Sequence, residues 1–273
     1  MWPKGINGRS FPKGTSWADA ARRAKAAGFD SIEPTLDIQG ELTPVSTEAE
    51  CRRISDAIRG SGLEVAALAC GFLWEKPYTS ADPLVREEAV SLTKAALQRA
   101  SWIGAPILLV LPGLVSHPRS PATMVTAYAE ALRRADTALT ELSYDAESFG
   151  VTIAIENACN QFLVSPIEMC DFLDRVNSPW VGAYFDVGSV LRYGFPQDWI
   201  DSLGRRIVGV HLRDYKLAKD PEPGFCALGE GDVDWPAVIH ALRRHRYQGP
   251  LVYEGKEDLT TAALFIERLM HGP

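Results

Sequence analysis

Apolar positions along the chain alternate between short β-rich runs and longer stretches with a helical repeat. Lys4–Asn7 reads as a short first strand. Thr15-Ser16 supplies an N-cap, with Asp19 in the first turn of a helix that runs to Ala27 and stops at Gly28. Strand two follows over 29–33. Thr47 opens a second helix through Ile58 with Glu50 as its capping-box partner, and Gly60-Ser-Gly62 ends it before strand three at 63–69. A polar, aromatic stretch over 71–82 leads into a helix over 83–103, where Ala89, Leu92, Ala96 and Ala100 recur at helical spacing. Residues 105–111 form an apolar run typical of a strand buried on both faces, broken by Pro112-Gly113. Helix four is predicted over 121–149 and strand five from Val151. Helices near 166–176, 197–203 and 235–245 separate the later strands, and a last helix closes near Met270.

Eight βα units within 273 residues predict an α/β architecture, a (β/α)8 TIM barrel forming a single domain over 1–273. No Pro/Gly/Ser-rich linker interrupts it. No glycine-rich dinucleotide fingerprint or phosphate-cradling loop follows a strand, which disfavours nicotinamide and nucleoside-triphosphate chemistry. A 46% hydrophobic, 23% charged composition is ordinary for a globular chain. The net charge of −7 argues against a nucleic-acid surface, and the basic run Arg243-Arg244-His245-Arg246 reads as a solvated helix face. Five dispersed cysteines without Cys-x-x-Cys spacing fit reduced thiols. The residues Met1-Trp-Pro-Lys-Gly lack an apolar signal core, and no stretch approaches the roughly 20 apolar residues of a membrane span. The expectation is a soluble, cytoplasmic protein with no membrane partner. A homo-oligomer stays open.

Four apolar runs in the second half each end on a residue that binds metals: Ile155-Glu156, Phe185-Asp186, Val210-His211 and Tyr253-Glu254. In a parallel barrel the C-terminal ends of the strands crowd one rim, so the four are expected to face a common axis. Three carboxylates that close raise each other's pKa unless a cation compensates. The mixed oxygen and nitrogen set suits Mn²⁺, Mg²⁺, Co²⁺ or Zn²⁺. Around it, Asn157 offers an amide to a substrate hydroxyl or makes a turn, and Arg213 offers a guanidinium to a substrate anion or pairs with Asp214 or Glu230. Asp214 is placed to orient His211 from behind. Glu33 ends strand two, within reach of a substrate hydroxyl or serving its loop. Trp74, with Phe72 and Leu73, offers an apolar wall, and His117 is a lone histidine after strand four.

These motifs resemble the xylose-isomerase-like TIM-barrel sugar (phosphate) isomerases and epimerases, and most nearly the branch of L-ribulose-5-phosphate 3-epimerase-like and hexulose-phosphate isomerase-like proteins. The resemblance spans the chain and is carried by Ile155-Glu156-Asn157, Ser165-Pro-Ile-Glu-Met169, Tyr184-Phe-Asp-Val-Gly188, Val210-His-Leu-Arg-Asp214, Gly229-Glu-Gly-Asp232 and Tyr253-Glu254. It implies a divalent ion, most often Mn²⁺, held by Glu156, Asp186, His211 and Glu254. It also implies a ketose between Glu156 and Glu254, which exchange protons with it through a cis-enediolate, and a substrate contact at Ser189, where relatives commonly carry Asn or His. Arg213 stands where the branch usually has Lys. Two alternatives share the barrel: a dehydratase or lyase of the inosose dehydratase-like or C-glycoside-cleaving kind, in which the same proton abstraction ends in β-elimination, and a sugar-binding barrel without turnover.

Overall fold

The computed structural model describes residues 2–217 and 224–272. Eight parallel strands form the centre: β1 (Lys4–Asn7), β2 in two pieces (Ser31–Glu33, Thr35–Leu36), β3 in two pieces (Glu64–Val65, Leu68–Cys70), β4 (Ile107–Val110), β5 (Thr152–Glu156), β6 (Val181–Asp186), β7 (Ile207–Leu212) and β8 (Leu251–Tyr253). Pairing runs β1 to β8 in order, and β8 returns to β1 with Lys4 opposite Leu251. Pro34 splits β2 because it has no N–H for the ladder. Its carbonyl still accepts from the Ala69 amide at 2.9 Å, and the register passes from Ile32–Val65 to Thr35–Ala69. Three residues of β2 thus face four of β3, and the barrel closes through this irregularity.

Among the described residues, eight helices of two turns or more follow the strands: α1 (Trp17–Ala27), α2 (Glu48–Gly60), α3 (Pro83–Ile103), α4 (Tyr128–Phe149), α5 (Pro166–Val176), α6 (Pro196–Leu203), α7 (Trp235–Arg244) and α8 (Leu259–His271), with a single turn over Val187–Val190 after β6. Their starts are local chemistry. Ser16 caps α1, and Thr47–Glu50 and Ser165–Glu168 form capping boxes on α2 and α5. Gly28 ends α1 at φ 97°, a left-handed conformation that glycine adopts without a Cβ clash. No described helix is long and apolar enough to cross a membrane.

The start of the fourth helix differs from the expectation. Residues 120–124 are the second strand of an antiparallel hairpin, with Ser116 opposite Met124, and α4 begins only at Tyr128. Pro121 can open a helix, but Thr123, Val125 and Thr126 are β-branched and favour extended backbone. Tertiary contacts decide: the Val125 amide donates to the Val115 carbonyl at 2.8 Å and the Thr126 hydroxyl to the Thr79 carbonyl at 2.9 Å. The hairpin folds over the C-terminal rim and carries His117 there.

Inside the barrel, small side chains make room for one large one. Ala67, Ala69 and Ala154 pack with Ile107, Leu109 and Tyr184 in a cluster separate from the sheet–helix core. Gly209 on β7 lies beneath the Tyr184 ring, where an added Cβ would sit 2.5 Å from Cε2. Past β7, the buried Asp214 carboxylate organises the rim. It accepts from the amides of Tyr215, Gly229, Gly231 and Val233 at 2.8, 2.8, 3.2 and 3.4 Å, and from Trp235 Nε1 at 3.0 Å. One charged acceptor therefore ties 229–235 to the end of β7.

Gly209→Ala should lower unfolding stability by about 1–3 kcal/mol in urea, because the Tyr184 ring has no space to retreat. Asp214→Asn should cost about 2–4 kcal/mol by the same measurement, since a neutral amide with one acceptor oxygen replaces the carboxylate that serves five donors.

Candidate metal centre

Glu156, Asp186 and His211 end or nearly end β5, β6 and β7, and Glu254 directly follows β8. Parallel register brings them level, with Asp186 opposite His211 and Leu212 opposite Tyr253. The Glu254 amide still donates to the Leu212 carbonyl at 3.3 Å, so the ladder continues to that residue. One donor atom from each of the four lies within 4.8 Å of all the others. His211 Nδ1 stands 2.9 Å from Glu156 Oε1 and 3.3 Å from Glu254 Oε2. Glu156 and Glu254 of the cluster line a cavity of about 510 Å³ whose walls also include Trp74, His117, Arg119, Ser189, Arg213 and Phe225, with Asp186 and His211 buried behind them.

A divalent ion fits this donor set. Oxygen and imidazole ligands bind about 2.0–2.2 Å from such an ion, so their donor atoms lie within roughly 4.4 Å of one another. The observed spread of 4.8 Å is close to that and closes with small side-chain movements. Charge points the same way. Three carboxylates crowd against the His211 imidazole and the Arg213 guanidinium, whose Nη1 is 3.4 Å from Asp186 Oδ2 and 3.9 Å from Glu254 Oε2. A cation relieves the remaining repulsion.

The environments of the two glutamates diverge. Burial pushes the Glu156 carboxyl above its usual range, opposed by His211 and reinforced by Glu254 and Asp186. Burial acts on Glu254 too, but Arg213, His211, Arg9 and Lys256 outweigh it and hold that carboxyl below its usual range. Asp186 is raised by burial against the pull of Arg213 and His211. Burial depresses the His211 imidazole, yet Glu33, Glu156 and Glu254 overcome that and leave it well above its usual value.

Ser189, Trp74 and Arg213 line the cavity. Ser189 donates its amide to Asp186 Oδ1 at 2.7 Å, and Trp74 meets the His117 ring edge-on with centroids 5.6 Å apart. Arg213 pairs with two of the cluster carboxylates, instead of Asp214 or Glu230, and its guanidinium stacks on Phe225 with Cζ 3.4 Å from the ring centroid. Three other residues take different places. Asn157 turns away from the cavity: its amide donates to the Asp186 carbonyl at 2.8 Å and accepts the Asp186 amide at 2.9 Å, locking β5 to β6. Asp214 faces the 229–235 loop and not His211. Glu33 has no accessible surface and lies behind His211, with its oxygens taken by Asn7, Tyr184 and His211. It cannot reach a ligand in the cavity. A solvent-facing strand end and a buried one look alike in sequence, so the interior position of Glu33 carried no signal.

Arg9, two residues past β1, lines the cavity and helps hold Glu254 ionised, a role the sequence reading did not assign. Its place just beyond a strand end was the available clue. His117 and Arg119 reach the cavity only because 116–124 is a hairpin.

Residues 21–269 match the profile of the xylose isomerase-like TIM barrel. Among curated proteins, the L-ribulose-5-phosphate 3-epimerase UlaE of Shigella flexneri serotype 5b (strain 8401) is 26% identical over 255 residues, covering 92% of this chain and 86% of the relative. A solved L-ribulose 3-epimerase superposes with a TM-score of 0.82 at 18% identity, covering 99% of this chain and 95% of that one. D-psicose 3-epimerase from Clostridium cellulolyticum H10, solved with D-tagatose, gives 0.78 at 16% identity with 99% and 92% coverage. The structural likenesses, at these identities, establish the barrel. The profile match covers most of the chain, and the protein belongs to the xylose isomerase-like TIM barrel family.

Proposed function

We propose that the protein is a metal-dependent epimerase of a ketose or ketose phosphate, with Glu156 and Glu254 as the acid and base. The observation that carries this reading is the convergence of two carboxyls on His211 Nδ1, Glu156 at 2.9 Å and Glu254 at 3.3 Å, within a four-residue donor cluster. Inversion at a carbon next to a carbonyl needs a base on one face and a proton donor on the other. Glu254, held ionised by Arg213, Arg9 and Lys256, is suited to remove the proton. Glu156, at 2.9 Å from the same imidazole nitrogen, is suited to return one to the opposite face. In the reverse direction the roles exchange.

Glu156, Asp186, His211 and Glu254 would hold the divalent ion, with Mn²⁺ first among the candidates. When bound, such an ion acts as a Lewis acid on the carbonyl and its neighbouring hydroxyl, acidifying the C–H between them. Arg213 adds fixed positive charge where the enediolate of the substrate develops. Trp74, His117 and Phe225 enclose the sugar and limit water. The cavity of about 510 Å³ is of the size that small-molecule sites have. Relatives named as epimerases of L-ribulose 5-phosphate, L-ribulose and D-psicose support the ketose assignment.

Mn²⁺-loaded protein incubated in D₂O with a panel of ketoses and ketose phosphates should place solvent deuterium on carbon 3 of one of them and yield its 3-epimer. A panel without any carbon-bound deuterium would count against the reading. Glu156→Gln and Glu254→Gln should each reduce kcat/KM by at least about 100-fold. Removing divalent ions with a chelator should abolish turnover, and adding Mn²⁺ back should restore it; turnover that survives chelation contradicts a metal-dependent step.

A further inference from the structure

Behind His211, on the side away from the cavity, Glu33 from β2 is entirely enclosed. Its carboxylate meets three groups: Asn7 Nδ2 at 2.5 Å, Tyr184 Oη at 2.5 Å and His211 Nε2 at 3.0 Å. The amide of Asn7 is oriented, because its Oδ1 accepts the Arg9 backbone N–H at 2.7 Å and so turns Nδ2 toward Glu33. The Tyr184 hydroxyl donates likewise. A carboxylate among donors accepts from each of them, so the hydrogen between Glu33 and His211 belongs on Nε2. Nδ1 is then the ring nitrogen turned toward Glu156 and Glu254, at 2.9 and 3.3 Å. The Tyr184 ring also packs against the imidazole, with centroids 4.6 Å apart, and blocks its rotation.

Glu33 is not one of the four clustered donors, and the imidazole stands between it and them. A buried carboxylate is expensive to the fold unless it is fully hydrogen-bonded, and an apolar residue would fill the space more cheaply. From this arrangement we infer that Glu33 is a positioning residue: it holds His211 with Nε2 protonated and Nδ1 presented to the divalent ion. The inference rests on the metal reading above and adds a residue outside the ligand set. It also gives Tyr184 and Asn7 a purpose, since they fix Glu33 as Glu33 fixes His211. A carboxylate behind a ligating imidazole raises its basicity as well as setting its orientation.

The test is Mn²⁺ titration of metal-stripped wild-type and variant proteins by calorimetry, with ¹⁵N NMR of histidine-labelled, Zn²⁺-loaded protein. Glu33→Gln keeps the volume and much of the hydrogen bonding but removes the charge. It should weaken Mn²⁺ binding by about 10- to 100-fold. Glu33→Asp, which keeps the charge at shorter reach, should recover part of that loss. In the Zn²⁺-loaded wild-type protein the His211 proton should reside on Nε2. Should Glu33→Gln fail to fold, Tyr184→Phe removes one of the donors and should give a smaller loss, under about tenfold. Affinity within twofold of wild type in every folded variant, or a loss confined to thermal stability, overturns the inference and leaves the metal reading intact. A His211 proton on Nδ1 in the Zn²⁺-loaded protein overturns it too. Absence of divalent-ion binding by the wild-type protein overturns both together.

Discussion

Like charge confined to one rim is the constraint around which this molecule is arranged. Parallel strands deliver Glu156, Asp186 and Glu254 to within a few ångströms of a single imidazole. Burial raises two of those carboxyls, while Arg213 and its basic neighbours hold the third down. A barrel tolerates that arrangement because its strands are cross-linked all round and cannot spread. The same crowding suits the rim to a divalent ion and gives the two glutamates different electrostatic surroundings.

The polar residues beneath the rim serve the backbone and the cluster. Asn157 joins β5 to β6 through the Asp186 peptide, and Asp214 gathers the amides of 229–235. Glu33 links three strands, reaching β1 through Asn7, β6 through Tyr184 and β7 through His211. Even the apolar interior takes part, since the absence of a side chain at Gly209 lets Tyr184 lie flat enough to reach Glu33. Packing in the barrel and chemistry at its rim are thus coupled through one tyrosine.

Much of this was legible in the sequence because it depends on local pattern. Caps such as Ser16, Thr47 and Ser165 act within three residues, and a ligand at the end of an apolar run becomes a rim ligand once the strands are known to be parallel. What escaped depends on distant partners. Pro121 looked like a helix start until Val115 and Thr79 claimed the backbone and side chain of 125–126. Asp214 is bonded to residues up to 21 positions away, and His211 is backed by a glutamate 178 positions away, so neighbouring sequence pointed to the wrong carboxylate. Residue type at a strand end names the chemistry available there; whether the side chain turns to the cavity or to the interior is settled by packing.

The central claim is that the four strand ends form one divalent-ion site, and native mass spectrometry of Mn²⁺-equilibrated protein tests it most directly. One ion per chain should be retained by the wild-type protein and lost in Asp186→Asn, which removes a ligand charge with almost no change of shape. A wild-type chain that holds no ion, or an Asp186→Asn chain that holds it equally well, would contradict the account.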